Sequence, residues 1–311
     1  MNRCDALIQE VRKAFVGEER IVRQVLIALL AGGHVLLEDI PGVGKTTLAV
    51  AFSKVLGLSC NRIQFTPDVM PSDVVGFTMP DRASGTLTYQ PGAAMCNFLL
   101  ADEINRASAR SQSALLEAMQ EHAVTVDGVT HPLPEPFFVL ATQNPTGSAG
   151  TQLLPDSQTD RFMMRLSIGY PQPQDELDLL ARKHGNYEAR PLSKMTTAEE
   201  ILEMQAEVSR LFVHEAIYRY ILRLVQATRE QESIRQGASP RCTLALTALA
   251  QAAAYAAGRD YVLPVDVASV YLDCTVHRMI MTPGAEREQR TAQRVLEGIL
   301  RSTQAPRLKV N

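Results

Sequence analysis

Apolar positions recur at helical spacing at the start of the chain. Leu7, Val11, Ala14 and Phe15 share one face over 3–15, and Ile21, Val25, Leu26 and Leu29 share another over 18–31, which predicts two helices meeting at Phe15-Val16-Gly17. The pattern then changes to short unbroken apolar runs of strand length, at about 34–38, 62–65, 97–103, 137–142 and 164–168, with helical stretches between them. Five such runs separated by helices predict a parallel, doubly wound α/β sheet. Two departures are expected. Residues 74–90 are rich in Gly, Pro and Thr and read as a small hairpin or irregular insertion, and β-branched residues flank Asp127-Gly128 within 123–132, the signature of a hairpin with a tight two-residue turn. Pro171 and Pro173 mark a boundary, beyond which no strand is expected. Helices are predicted at about 174–185, 197–210, 214–231, 240–257, 265–281 and 285–302, giving domains at 1–172 and 173–311, the second all-α.

The chemistry concentrates where strands end. His34-Val-Leu-Leu-Glu-Asp-Ile-Pro-Gly-Val-Gly-Lys-Thr-Thr47 runs from a strand through Pro41, Gly42, Val43 and Gly44 into a helix opening with Lys45, Thr46 and Thr47. A strand, a glycine loop ending in Gly-Lys-Thr and a helix form a phosphate-binding arrangement: backbone N–H groups and a helix N-terminus converge on one point, Lys45 reaches the β/γ-phosphates and the Thr46 hydroxyl sits on Mg²⁺. The first Gly of the usual Gly-x-x-x-x-Gly-Lys-Thr pattern is Asp39 here. Its loss is tolerable if the carboxylate points away from the phosphates. The alternative is an ordinary Gly-rich turn beside an exposed Lys.

The third strand ends in Asp102-Glu103, at the sheet edge where a second nucleotide motif belongs. Asp102 is expected to hold Mg²⁺ and Glu103 to polarise a water for attack on the γ-phosphate; a helix cap with a first-turn acid is the bland alternative. The fourth strand ends in Gln143-Asn144-Pro145, whose amide could orient the attacking water or simply start a turn. Gly17 could bring backbone against an adenine ring, or merely join two helices. Asp73-Val74-Val75-Gly76 matches the Asp-x-x-Gly of GTPases but is discounted, because no Asn-Lys-x-Asp segment accompanies it. Arg241, in Gly237-Ala-Ser-Pro-Arg241, opposes the dipole of the helix it begins, which suggests an anionic partner; an exposed Arg without a role is the alternative.

Bulk properties narrow the reading. A net charge of −3 provides no global field for nucleic acid or anionic lipid. The five cysteines are scattered, with no Cys-x-x-Cys pair, and the six histidines form no ligand cluster, which argues against disulfides or zinc and suits a reducing cytoplasm. No signal-peptide pattern opens the chain, and its longest apolar run, broken at Gly32-Gly33-His34, is too short to span a bilayer.

Gly42-Val-Gly-Lys-Thr46, Leu100-Ala-Asp-Glu-Ile-Asn-Arg-Ala107, Ala141-Thr-Gln-Asn-Pro145, Asp160-Arg161-Phe162 and Gly237-Ala-Ser-Pro-Arg241 follow in that order, and together they resemble the MoxR group of AAA+ ATPases over nearly the whole chain. They are similar, more distantly, to the ATPase subunit of magnesium chelatase. The resemblance implies a P-loop AAA+ core with a five-stranded parallel sheet and a C-terminal all-α lid. It places Lys45 and Thr46 in Walker A, Asp102 and Glu103 in Walker B, Asn144 at sensor 1 and Arg241 at sensor 2. Arg161 matches the arginine finger, which acts on a neighbour's nucleotide; Arg106 and Arg165 are weaker candidates for intersubunit contacts. Val16-Gly17 matches the adenine-side segment, and 74–90 and 123–133 match insertions that face the ring interior or the substrate in related ATPases. The cofactors implied are ATP and Mg²⁺, and the assembly a hexamer. The function implied is a chaperone-like motor remodelling or maturing a protein client, commonly with a von Willebrand factor A-domain partner. A nucleic-acid motor and a non-hydrolysing nucleotide-gated scaffold are the rival readings. The net charge weighs against the first, and Glu103, Asn144 and Arg241 against the second.

Overall fold

The runs Phe98–Ala101 and Phe138–Ala141 are apolar at every position. In the computed structural model, which describes residues 2–40, 42–81, 86–144, 154–184, 191–288 and 290–307, they lie in the middle of a five-stranded sheet. In chain order, α1 (Arg3–Arg12) and α2 (Glu19–Leu30) precede β1 (Val35–Glu38), and α3 (Lys45–Leu56) leads to β2 (Cys60–Gln64). The short α4 (Pro71–Val75) and the hairpin β3 (Gly76–Pro80) and β4 (Leu87–Pro91) come before β5 (Phe98–Asp102). A 3₁₀ turn (Ile104–Arg106) and α5 (Ala109–Glu121) lead to a second hairpin, β6 (Ala123–Val126) and β7 (Val129–Pro132), and then β8 (Phe138–Gln143), α6 (Asp156–Thr159) and β9 (Met164–Leu166) follow.

The sheet order is β2-β5-β8-β1-β9, and every pairing is parallel. After β1 the chain crosses over β8 and β5 to the far edge, while β9 later joins β1 on its other side. The carboxyl end of β1 is therefore where successive connections diverge, the usual place for a crevice in an open α/β sheet. Alternation along the strands divides the core. Val35, Leu37, Phe98, Leu100, Phe138, Leu140, Met164 and Leu166 pack with α1, α2 and α3; Leu36, Leu99, Ala101, Val139 and Ala141 face α5 and the inserted segments.

The expected hairpin turn is present, with both Asp127 and Gly128 at positive φ. The two hairpins lean on each other through a hydrogen bond from Thr78 to the Asp127 carboxylate and a stack of the Tyr89 and His131 rings at 3.9 Å. Asp73 of the GTPase-like tetrapeptide caps α4 by accepting the Met70 N–H at 2.8 Å, a local structural task.

The C-terminal region is helical, as expected: α7 (Pro173–His184), α8 (Ala198–Ser209), α9 (Glu215–Glu230), α10 (Pro240–Ala256), α11 (Pro264–Thr275), α12 (Pro283–Arg287) and α13 (Ala292–Ser302). Three expectations need correction. A two-stranded antiparallel ribbon, β10 (Ile234–Gln236) with β11 (Ile280–Met281), stands where no strand was expected, since strands of two and three residues carry no period to read. The helix expected over 265–281 ends at Thr275 and continues as a 3₁₀ turn (Val276–Arg278), because Arg278 turns inward there. The helix expected over 285–302 is two, the second started by the Thr291 side chain accepting the Arg294 N–H. Pro41, Pro145 and the glycine/serine loop at 147–150 lie outside the described residues.

The helical region closes onto the sheet through α1 and α2. Asn2 Nδ2 donates to Ala256 O at 2.7 Å, Gln24 Nε2 to Ser269 O at 2.8 Å and Gln205 Nε2 to Leu29 O at 2.7 Å, while Arg20 grips Asp273 with two nitrogens at 2.8 and 3.2 Å. One apolar core runs through both regions. A second tie is the Arg278 guanidinium, 2% exposed, whose Nε donates to the Asp160 carboxylate at 2.7 Å and whose Nη2 donates to Phe162 O at 2.8 Å.

His34 supports the sheet from beneath. Its Nδ1 accepts the Val139 N–H and its Nε2 donates to Met119 O, both at 3.1 Å, so this geometry requires the neutral ring. Burial pushes its pKa down to about 4 from 6.5, opposed by the Met119 hydrogen bond. The buried His277 is shifted the same way, first by burial and then by the Arg278 charge. The unfolded chain therefore binds protons that the fold refuses. Their contribution is complete above about pH 6.5 and is lost as pH falls toward 4, with His34 alone costing on the order of 3 kcal/mol at the lower end. Urea unfolding across this range should show stability falling with pH and a shallower slope for His34→Gln; an unchanged slope in that variant would count against the assignment.

Candidate nucleotide site

The loop after β1 is shaped from behind by Phe15. Its ring lies 2.9 Å from where a Cβ on Gly17 would stand and 3.5 Å from one on Gly44, so the 15–17 segment packs directly against the loop. Gly44, at φ 92, is the N-cap of α3 and makes no side-chain cap bond, leaving the first-turn N–H groups of Lys45, Thr46 and Thr47 directed at the crevice. Gly42, Gly44, Lys45, Thr46 and Thr47 form one wall of a cavity of about 320 Å³. Burial lowers the Lys45 pKa, opposed by the nearby charges of Asp39, Asp102, Glu103 and Glu38, and its Nζ donates to the Asp39 carbonyl at 2.6 Å.

Asp39, the departure from the usual glycine, turns its carboxylate away from the cavity. It accepts from Ser167 Oγ at 2.8 Å, the Ile168 N–H at 2.6 Å and the Gly169 N–H at 3.0 Å. It thereby ties the exit of β1 to the exit of β9. Beside it, Arg165 pairs with Glu38 at 2.8 Å, so this candidate for an intersubunit contact is engaged within its own chain.

The opposite wall comes from β5 and β8 and carries Asp102, Glu103, Thr142 and Asn144. Thr142 Oγ1 donates to Asp102 at 3.2 Å and accepts the Glu103 N–H at 2.9 Å, fixing both acids to the neighbouring strand. Glu103 has φ 55, a left-handed conformation uncommon for a residue with a side chain, which turns its carboxylate into the crevice. There it accepts from Arg106 Nη1 at 2.9 Å, and that bond holds its pKa below the usual carboxylate range, helped by a hydrogen bond from the Asn144 side chain. Arg106 thus also has a partner within the chain. Asn105 clamps the backbone of Asn144 from both sides, its Oδ1 accepting the N–H at 3.4 Å and its Nδ2 donating to the carbonyl at 3.2 Å. Arg62 and Gln64 of β2 complete the lining, with Arg62 Nε donating to Asp102 at 2.8 Å.

Lys45, Thr46, Asp102, Glu103 and Asn144 thus meet in one cavity. Val16 and Gly17 stand behind the loop and do not line it. Arg241, on the first turn of α10, is 51% exposed and points to Asp160, 3.7 Å from its carboxylate. Arg161 follows α6 on another face; its Nη1 donates to Leu116 O at 3.2 Å, and it borders a separate cavity of about 380 Å³ with Glu117, Glu121 and Gln158. The sequence reading missed Arg62, Gln64, Thr142 and Asn105. Arg62 and Gln64 alternate on one face of a strand, and Thr142 stands two residues before Asn144; those positions are the signal available.

Residues 34–164 match the family described as "ATPase family associated with various cellular activities (AAA)", and residues 226–299 match the AAA lid domain. The chain is 43% identical over 299 residues to the uncharacterized protein YeaC of Bacillus subtilis, covering 96% of this chain and 93% of that one. It is 39% identical over 310 residues to the chaperone MoxR1 of Mycobacterium tuberculosis, covering 97% and 82%. The crystal structure of a Cytophaga hutchinsonii protein assigned as an ATPase superposes with a TM-score of 0.91 at 38% identity, covering 98% and 96%.

Restoring the usual glycine at position 39 tests the tie between β1 and β9. Asp39→Gly leaves the Ser167, Ile168 and Gly169 donors without their acceptor and should lower the free energy of unfolding by about 2 kcal/mol, read from urea denaturation; unchanged stability would show that the tie carries no weight.

Proposed function

The chain belongs to the MoxR-type AAA+ ATPases, and on that premise we propose that it hydrolyses Mg·ATP in a ring, most simply a hexamer, to remodel or mature a protein client. The observation that carries this reading is the single cavity shared by the phosphate loop and the two acids of β5. Lys45 and the first-turn N–H groups of α3 bind the β- and γ-phosphates, with Gly42, Val43, Gly44 and Thr47 shaping the cradle and Pro41 preceding it. The donor set fits Mg²⁺ bound together with a nucleotide. Thr46 and Asp102 offer hard oxygen ligands on facing walls, and no group of three or more His, Cys, Asp or Glu side chains able to hold a metal alone occurs among the described residues. When bound, the ion would neutralise charge on the β- and γ-phosphates.

Glu103 acts as the base that polarises the attacking water. Its lowered pKa keeps it ionised at neutral pH, and Asn144, bonded to it, orients the same water or senses the γ-phosphate. Arg106 occupies part of this carboxylate, so turnover requires that pair to loosen. Val16-Gly17 flanks the adenine, and Arg241 reaches the nucleotide from the lid after leaving Asp160. Arg161 borders a different cavity from the phosphate loop, which supports its acting on a neighbour's nucleotide. We take the core as 1–172 and the lid as 173–311. The chaperone name of the mycobacterial relative supports a protein client, and a von Willebrand factor A-domain protein is the partner we expect. No helix among the described residues is long and apolar enough to cross a membrane.

Glu103→Gln should abolish turnover while leaving ATP bound, and Lys45→Ala should lose the nucleotide; sustained hydrolysis by Glu103→Gln sinks the base assignment. Arg161→Ala should retain binding and lose turnover by ~10³-fold or more. Mixing it with Lys45→Ala subunits should restore part of the activity, whereas a mixture as inactive as its components argues against action in trans. A pull-down with Glu103→Gln in ATP should retain the client.

A further inference from the structure

Asp102 is met by a cation from its own chain. Arg62 and Gln64 point to the same side of β2, an edge strand, and Gln64 lies in register with Asp102 of β5. From two residues back, the Arg62 side chain runs along the strand toward the site. Its Nε donates to Asp102 Oδ2 at 2.8 Å and its Nη2 to Gln64 Oε1 at 3.2 Å. The other Asp102 oxygen, Oδ1, accepts from Thr142. An arginine 54% exposed on an edge strand would ordinarily extend into water. Here two of its donor nitrogens are committed along the wall of the phosphate-loop cavity, which Arg62 itself lines.

Position decides what such a charge does. A guanidinium on Asp102 Oδ2 opposes any divalent cation drawn to that carboxylate, because like charges a few ångströms apart repel. The same guanidinium attracts the phosphates of a nucleotide across the cavity. The Lys45 ammonium donates to the Asp39 carbonyl, whereas Asp102 Oδ2 takes its hydrogen bond from Arg62. We infer that Arg62 is a positioning residue that couples nucleotide to metal: it supports binding of the nucleotide without metal and competes with Mg²⁺ for Asp102. The inference rests on the reading of Asp102 as the metal-side carboxylate.

Removing Arg62 then shifts two affinities in opposite directions, which simple loosening of the site would not do. The measurement is binding of a fluorescent ADP analogue to the full chain, first in EDTA and then as Mg²⁺ is titrated in. Arg62→Ala should weaken metal-free binding roughly fivefold and lower the Mg²⁺ midpoint by a similar factor, as expected for a partly exposed charge pair. Arg62→Lys, which keeps the charge, should stay near the parent on both. Both affinities unchanged in Arg62→Ala, or both weakened, would overturn the inference. Asp102→Asn separates it from the reading beneath. If that variant leaves the Mg²⁺ midpoint unmoved, Asp102 is not the metal-side group and the inference falls with it. If Asp102→Asn moves the midpoint and Arg62→Ala does not, competition by Arg62 alone is wrong.

Discussion

Residue 39 has to do two things with one backbone unit. Its carbonyl receives the Lys45 ammonium, which folds the phosphate loop back over the end of β1, and its carboxylate receives three donors from the segment after β9. A glycine can do the first but not the second. The loop is consequently anchored at the interior strand β1 and at the edge strand β9 beside it, and the Arg165–Glu38 pair reinforces the same junction. Phe15 fills the space behind, so the loop can move neither outward along the sheet nor back toward α1 without breaking hydrogen bonds or packing.

The same logic extends to the other acids at this end of the sheet. Glu38, Asp39, Asp102 and Glu103 would repel one another if left bare. Each is answered locally: by Arg165, by the donors of 167–169, by Arg62 with Thr142, and by Arg106. With the acids answered in this way, the N-terminal turn of α3, Lys45 and the guanidinium of Arg62 give the cavity its attraction for an anion. The pairs are partly exposed and therefore individually weak, so they hold the acids in place without locking them.

Much of this was legible in the sequence because it depends on local pattern. Interior strands declare themselves as unbroken apolar runs, and Asp127-Gly128 as a turn. Lys45 and Thr46 open the helix after the glycine loop, and Asp102, Glu103 and Asn144 stand at or just past strand ends, all at one edge of the sheet. What escaped depends on which strand lies beside which. Arg62 matters because β2 pairs with β5, and Thr142 because β8 borders β5 on the other side. Neither neighbour can be read from spacing along the chain. The β10–β11 ribbon escaped for the opposite reason: the apolar residues Val276, Met279, Ile280 and Met281 continue a helical-looking pattern past the point where Arg278 turns inward to Asp160.

Asp160 carries a mechanical consequence. Its carboxylate is gripped by Arg278 and approached by Arg241 and Ser239 from the first turn of α10, and a single peptide bond joins it to Arg161. A rotation of that turn therefore reaches Arg161 through one ion-pair cluster and one covalent link, without crossing the sheet. A shift of the helical region against the sheet is therefore felt first at Asp160 and at the backbone that carries Arg161.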